Sequence, residues 1–181
     1  SATTPDRTAF ILSKSSENPL PRMISDARKL EAFGADAIVI ACNTAHYFID
    51  EVRASVNVPV PSIIHETVDY IKSTGIKKVG IMATNGTISA GSYQSECYSS
   101  GLEFILPDKE HRSLLMELIY DDVKSGNSNA YEKLQIISEH MKKRGCDAAI
   151  LGCTELSVVN SANSENEFLI DSLEVLAYYS I

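Results

Sequence analysis

The chain has 181 residues, long enough for one good core or for two small lobes that share an interface, and its 44% hydrophobic and 22% charged composition is that of an ordinary folded globule. A formal charge of -8 with no cluster of lysine or arginine argues against nucleic acid as a partner, because affinity for phosphate backbones comes from cations that displace condensed counterions. No apolar stretch approaches the ~20 residues needed to span a bilayer and no signal sequence opens the chain, so no membrane partner and a cytoplasmic location are expected.

In chain order, Thr8 to Leu12 reads as a strand. After the loop with Asn18 and Pro19, a helix with Met23, Ala27, Leu30 and Phe33 on its apolar face runs to Gly34. The next strand ends at Cys42, Thr44 to Val56 has helical spacing, and Ser62 to Ser73 forms another helix before Gly75. Lys77 to Ala83 is a strand that stops at Thr84-Asn85-Gly86-Thr87, with a helix start at Thr87 or Ser89. Leu102 to Leu106 is a further strand, followed by helices over Asp108 to Lys124 and Asn129 to Arg144. The second leads into a strand ending at Cys153, and Phe168 to Ile170 and Ser172 to Tyr179 give a last strand and helix. Strands alternating with helices predict a parallel sheet covered on both faces.

Two of these strands end in matching frames, Gly34-Ala-Asp-Ala-Ile-Val-Ile-Ala-Cys42 and Gly145-Cys-Asp-Ala-Ala-Ile-Leu-Gly-Cys153. Small polar residues follow each cysteine, Asn43 and Thr44 in one copy and Thr154 in the other. Both thiols are therefore expected at the C-terminal ends of strands, the edge where open α/β sheets bind ligands. The near-repeat predicts an α/β fold of two pseudo-symmetric lobes, each a mostly parallel sheet flanked by helices, with the active site in the cleft between them. Residues 1–74 with 171–181 form the first expected lobe and residues 75–170 the second.

Two thiols facing each other across a cleft can invert a carbon stereocentre, one removing a proton from one face while the other delivers a proton to the opposite face. A thiol with an ordinary pKa of ~8.5 is tunable enough to serve as thiolate or as acid. Neither a metal nor pyridoxal is required, so no cofactor is expected.

The segments Ile38-Val-Ile-Ala-Cys-Asn-Thr-Ala-His46 and Ile150-Leu-Gly-Cys-Thr-Glu-Leu156, with Pro5-Asp-Arg-Thr-Ala-Phe10 upstream, resemble the aspartate/glutamate racemase family, most closely its aspartate racemase branch. The resemblance covers nearly the whole chain. It implies a cofactor-independent amino-acid racemase, usually a homodimer, with Cys42 and Cys153 as the two bases and an amino-acid dicarboxylate as substrate. It further implies that Arg7 and Lys124 hold substrate carboxylates and that Asn43, Thr44, Thr84 and Thr154 contact the substrate. The family pattern places a strand, a glycine-rich loop and a helix ahead of Pro5, so a longer parent protein is expected, with the activity of this polypeptide alone in question.

Other readings stay open from the residues. Cys97 and Cys146 lack the polar flank and read as structural. Arg7 can equally pair with a surface carboxylate, and Lys124 suits a helix end whatever the function. His46, one turn after Cys42, either tunes that thiol or is an exposed helix residue; Glu155 either orients a thiol or caps a helix; His65 and Glu66 read as a helix start. Competing functions are a cysteine-dependent decarboxylase, cis-trans isomerase or hydantoin racemase of the same fold, a redox pair, and an inactive fragment or binding module.

Overall fold

The computed structural model describes residues 3–123, 130–161 and 166–179. Helix α1 (Arg7–Ile11) and helix α2 (Leu20–Ala32) open it, followed by a 3-10 turn (Thr44–Phe48), α3 (Ile49–Arg53) and α4 (Ile63–Ser73). The remainder alternates: β1 (Lys78–Ala83), α5 (Asn85–Ala90), α6 (Ser92–Ser99), β2 (Glu103–Ile105), α7 (Lys109–Glu117), a π-helical turn (Leu118–Val123), α8 (Ala130–Lys143), β3 (Ala148–Gly152), α9 (Thr154–Ser161), β4 (Leu169–Asp171) and α10 (Ser172–Tyr179).

The four strands are parallel in the order β2-β1-β3-β4. Strand β3 is buried at every position and β1 at all but its first, as strands covered on both faces must be. On one face Val79, Ile81, Ala148 and Ile150 meet Ile63, Val68 and Ile71 of α4, Tyr93 and Cys97 of α6, and Leu176 of α10. On the other, Met82, Ala149 and Leu151 meet Leu115, Leu134, Ile137, Met141 and Leu156. The Asp147 carboxylate accepts the backbone N–H groups of Lys77 and Lys78 at 3.0 and 2.9 Å, tying the start of β1 to that of β3.

The two strands expected before residue 60 do not form. Thr8 to Leu12 lies largely in α1, because the Asp6 side chain accepts the N–H of Ala9 at 2.6 Å and caps a helix there. The run into Cys42 has no ladder among the described residues: Ile38 donates to Pro59 O at 2.9 Å and Cys42 donates to Ile40 O at 2.8 Å. A strand exists only where a neighbour takes up its backbone groups, and here Val39 and Ala41 are exposed. Among the described residues there is accordingly one parallel sheet, and the sheet expected for the first lobe is not present. Leu30 and Phe33, expected on a buried face, are exposed; α2 contributes Ala27 to a small separate core with Ile38, Val52 and Val60.

Candidate active site

Strand order reverses direction between β1 and β3, since β1 leads outward to β2 and β3 outward to β4. Ligands of open parallel sheets bind at such a switch point, beyond the C-terminal strand ends. The register pairs Ala83 with Gly152, so Thr84 and Cys153 emerge side by side there. The Thr84 hydroxyl accepts the Thr87 N–H at 3.1 Å and caps α5. Gly86 lets α1 settle on α5: a Cβ at this position would lie 2.7 Å from Thr8 Oγ1 and 2.9 Å from Thr8 Cα. That close approach carries Asp6, Arg7 and Thr8 over the edge of the sheet.

The result is a cavity of about 130 Å³ lined by Arg7, Cys42, Asn43, Thr44, Thr84, Cys153 and Thr154 together with Asp6, Thr8, Ala41, Ile119, Tyr120 and Glu155. Seven of the eight residues singled out from the sequence thus share one cavity. The eighth, Lys124, lies outside the described residues. Beyond Cys42 and Arg7 the surface opens into an apolar groove of about 310 Å³ along Met23, Ala27, Leu30, Ile38 and Val39. A larger depression of about 850 Å³ beside Lys109, Arg112 and Asp121 contains neither thiol.

The two thiols have opposite partners. Arg7 Nη2 donates to Cys42 Sγ at 3.8 Å, while its Nη1 donates to Pro5 O at 3.1 Å. The Cys153 S–H donates to Glu155 Oε2 at 2.8 Å, and the Thr154 hydroxyl donates to the same oxygen at 3.2 Å. Burial pushes the Cys153 thiol well above its ordinary pKa, and the charge and hydrogen bond of Glu155 push it the same way. Cys153 therefore rests protonated.

Cys42 is positioned by side chains, and His46 is the chief of them. Its Nδ1–H donates to Cys42 O at 2.9 Å and its Nε2 accepts the Ile63 N–H at 3.0 Å, an arrangement that requires the neutral ring. Burial lowers its pKa to about 4, and the Arg53 charge adds to the lowering. The reading of His46 as an exposed helix residue does not hold, for the residue is only 4% exposed.

Asn43 and the threonines hold the walls. Asn43 Oδ1 accepts the Tyr93 hydroxyl at 2.7 Å and its Nδ2 donates to Ser172 Oγ at 3.2 Å, which in turn donates to Leu151 O at 2.7 Å. The hydroxyls of Thr44, Thr84 and Thr87 form a closed triangle with sides of 2.9 to 3.1 Å. Tyr120 was not singled out from the sequence. It enters from the π-helical turn, and burial raises its pKa against the opposing hydrogen bond from Thr8. Nothing in its local sequence announces a cavity residue, because its place depends on how α7 runs on into that turn. His65 is a helix-start residue, as its surroundings suggested: it follows the Ser62 cap of α4, which accepts its N–H at 3.3 Å, and its ring donates to Glu96 Oε1 at 2.8 Å.

The Asp/Glu/Hydantoin racemase family model matches residues 1–179. Among curated proteins, the glutamate racemase of Persephonella marina is 29% identical over 171 residues, covering 92% of this chain and 65% of that protein. The broad specificity amino-acid racemase RacX of Bacillus subtilis is 30% identical over 157 residues, covering 86% and 67%. The chain thus spans about two thirds of the length of these relatives. Among solved structures, the Picrophilus torridus aspartate racemase superposes with a TM-score of 0.86 at 29% identity, over 99% of this chain and 74% of that one. A Pyrococcus horikoshii aspartate racemase homologue gives 0.77 at 30% identity, over 96% and 77%. With a match that runs almost from end to end and a fold shared with these enzymes, the chain belongs to the Asp/Glu/hydantoin racemase family.

Proposed function

We propose that this chain carries both bases of an amino-acid racemase that interconverts L- and D-aspartate without pyridoxal. The reading rests on one observation: two cysteines line a single cavity, one in contact with a guanidinium and the other with a carboxylate. In one direction the Cys42 thiolate, with Arg7 as its counter-charge, removes the α-proton from one face of the substrate. The S–H of Cys153 delivers a proton to the opposite face. That turnover leaves Cys42 as thiol and Cys153 as thiolate, ready for the reverse reaction; to start in reverse from the resting state, Cys153 passes its proton to Glu155, its acceptor at 2.8 Å, and Cys42 takes one from solvent. The negative charge that develops on the substrate α-carboxylate is met by backbone N–H groups at the helix start after Cys153, and Arg7 holds the second carboxylate.

The size of the cavity supports a small substrate. At about 30 Å³ of liquid volume per water, about 130 Å³ is room for some four waters, the scale of one small amino acid. Arg7 at its rim and the likeness to aspartate racemases support aspartate, with Lys124 proposed as a further carboxylate ligand.

The test is incubation of L- or D-aspartate with the protein in deuterated water, following α-deuterium and optical rotation together. Exchange with inversion is expected; the absence of both signals overturns the proposal, and activity confined to glutamate reassigns the substrate. Cys42→Ser and Cys153→Ser should each lower kcat by about 10²- to 10⁴-fold, the usual share of a general acid or base. Full activity in either variant removes the two-base mechanism.

A further inference from the structure

A second cluster of reactive side chains lies outside the cavity, where the start of α7 meets α8. Asp108 caps α7, its Oδ1 accepting the N–H of His111 at 3.0 Å and facing His111 Nδ1 at 2.8 Å. From α8, the His140 ring stacks on that of His111 with centroids 3.6 Å apart and planes 15° from parallel. His140 Nε2 lies 3.5 Å from Asp108 Oδ2, yet it is buried and makes no hydrogen bond among the described residues. One nitrogen from each ring and a carboxylate oxygen all fall within 4.8 Å of one another.

We propose that Asp108, His111 and His140 form a binding site for a divalent transition-metal ion, with zinc the ion it fits, that clamps α7 to α8. Two imidazoles, which are borderline donors, beside one carboxylate suit zinc and its neighbours and not calcium or magnesium, which take oxygen ligands throughout. Ligand atoms on a tetrahedral zinc stand about 3.3 Å apart when the bonds are about 2.0 to 2.1 Å, so the cluster closes on an ion by side-chain rotation. Asp108 keeps Oδ1 on the His111 N–H and offers Oδ2, its side chain being 49% exposed, while the His111 ring turns out of the stack so that both imidazole nitrogens face the ion. An ion would bind the Nε2 of His140, a buried atom 3.5 Å from Asp108 Oδ2 that makes no hydrogen bond among the described residues. Three protein ligands leave a fourth position open to water. Lys142, Lys143 and Arg144 come two to four residues after His140; Lys142 pairs with Glu139 at 2.8 Å and Arg144 is turned to the Leu106 carbonyl at 2.8 Å.

The test is calorimetric titration of the purified protein with zinc, paired with cobalt absorption spectra. The Cys42 and Cys153 thiols are competing ligands, and cobalt distinguishes them: thiolate ligation gives an intense sulfur-to-metal charge-transfer band, whereas this site gives ligand-field bands alone. One equivalent of zinc should bind and raise the melting temperature. His111→Gln and His140→Gln should each weaken it by at least about 100-fold, since even loss of an outer partner costs 10- to 100-fold. Asp108→Asn preserves the helix cap and should also weaken binding, which keeps the test valid if a histidine variant folds poorly. Zinc affinity unchanged in all three variants, or binding that disappears instead in Cys42→Ser or Cys153→Ser, overturns the site.

Discussion

Replacing His46 with glutamine should flatten the acid limb of the protein's stability profile. The ring is neutral in the fold, where burial holds its pKa at about 4 against an ordinary 6.5. Folding therefore disfavours the protonated ring. The stabilisation is complete above pH 6.5 and is lost progressively as the pH falls to about 4. At about 1.4 kcal/mol per pH unit the loss is about 3 kcal/mol, a large share of the 5–15 kcal/mol that typically holds a domain together. Glutamine does not titrate. It can still accept the Ile63 N–H but removes one of the two donors to the Cys42 carbonyl, leaving the Ala45 N–H at 3.2 Å, at a cost of about 0.5–1.5 kcal/mol at neutral pH. Urea denaturation of both proteins at half-unit steps from pH 7 to 4.5 separates the two effects. Carboxylates lowered by their own partners, such as Asp147 beneath the Lys77 and Lys78 N–H groups, lose stability in acid in both proteins and cancel in the difference. Wild type should begin more stable and converge on the variant as the pH falls. Two curves that descend in parallel would refute the neutral, buried ring.

Further tests bear on the cavity. Glu155→Gln removes the charge that assists burial in raising the Cys153 pKa, so alkylation of Cys153 at mildly alkaline pH should speed up, as read by peptide mass spectrometry; an unchanged rate assigns the effect to burial alone. The same variant should slow the racemisation direction that uses Cys153 as base more than the other, and equal slowing would deny Glu155 a role as proton acceptor. Gly86→Ala drives a Cβ against the Thr8 backbone, which can yield only if α1 moves; about 1–3 kcal/mol of lost stability is expected, with a raised KM because Arg7 adjoins Thr8. Thermal melting and kinetics that both match wild type would show that α1 does not depend on that contact. Arg7→Ala should weaken aspartate more than alanine, and equal loss on both would reassign Arg7 to the α-carboxylate or to folding.

The two cysteine frames show what a sequence can and cannot convey. Their patterns agree at the glycine, the aspartate, the apolar run and the cysteine, and both predict a strand. Only the second became one. Asp147 has the N–H groups of β1 to hold, and Ala148 to Gly152 lie between β1 and β4, whereas Val39 and Ala41 stay exposed and Asp36 is at the surface. Propensity and period reside in the run itself; the neighbour that turns an extended run into a strand is contributed from elsewhere in the fold. The same limit explains Thr8 to Leu12, where an apolar pentad suited a strand until Asp6 capped it as a helix. It also explains why Tyr120 was missed and Glu155 given no more weight than a cap. The thiols nonetheless reach one cavity, because the small polar residues behind each cysteine mark where the chain turns, and turning at a sheet edge does not require both approaches to be strands. Cys153 is fixed by backbone pairing in the middle of the sheet, and Cys42 by His46 on its carbonyl and Arg7 on its sulfur. A disturbance of His46 should therefore displace one thiol and leave the other in place, so the His46 variant should lose turnover even at pH 7, where its fold persists.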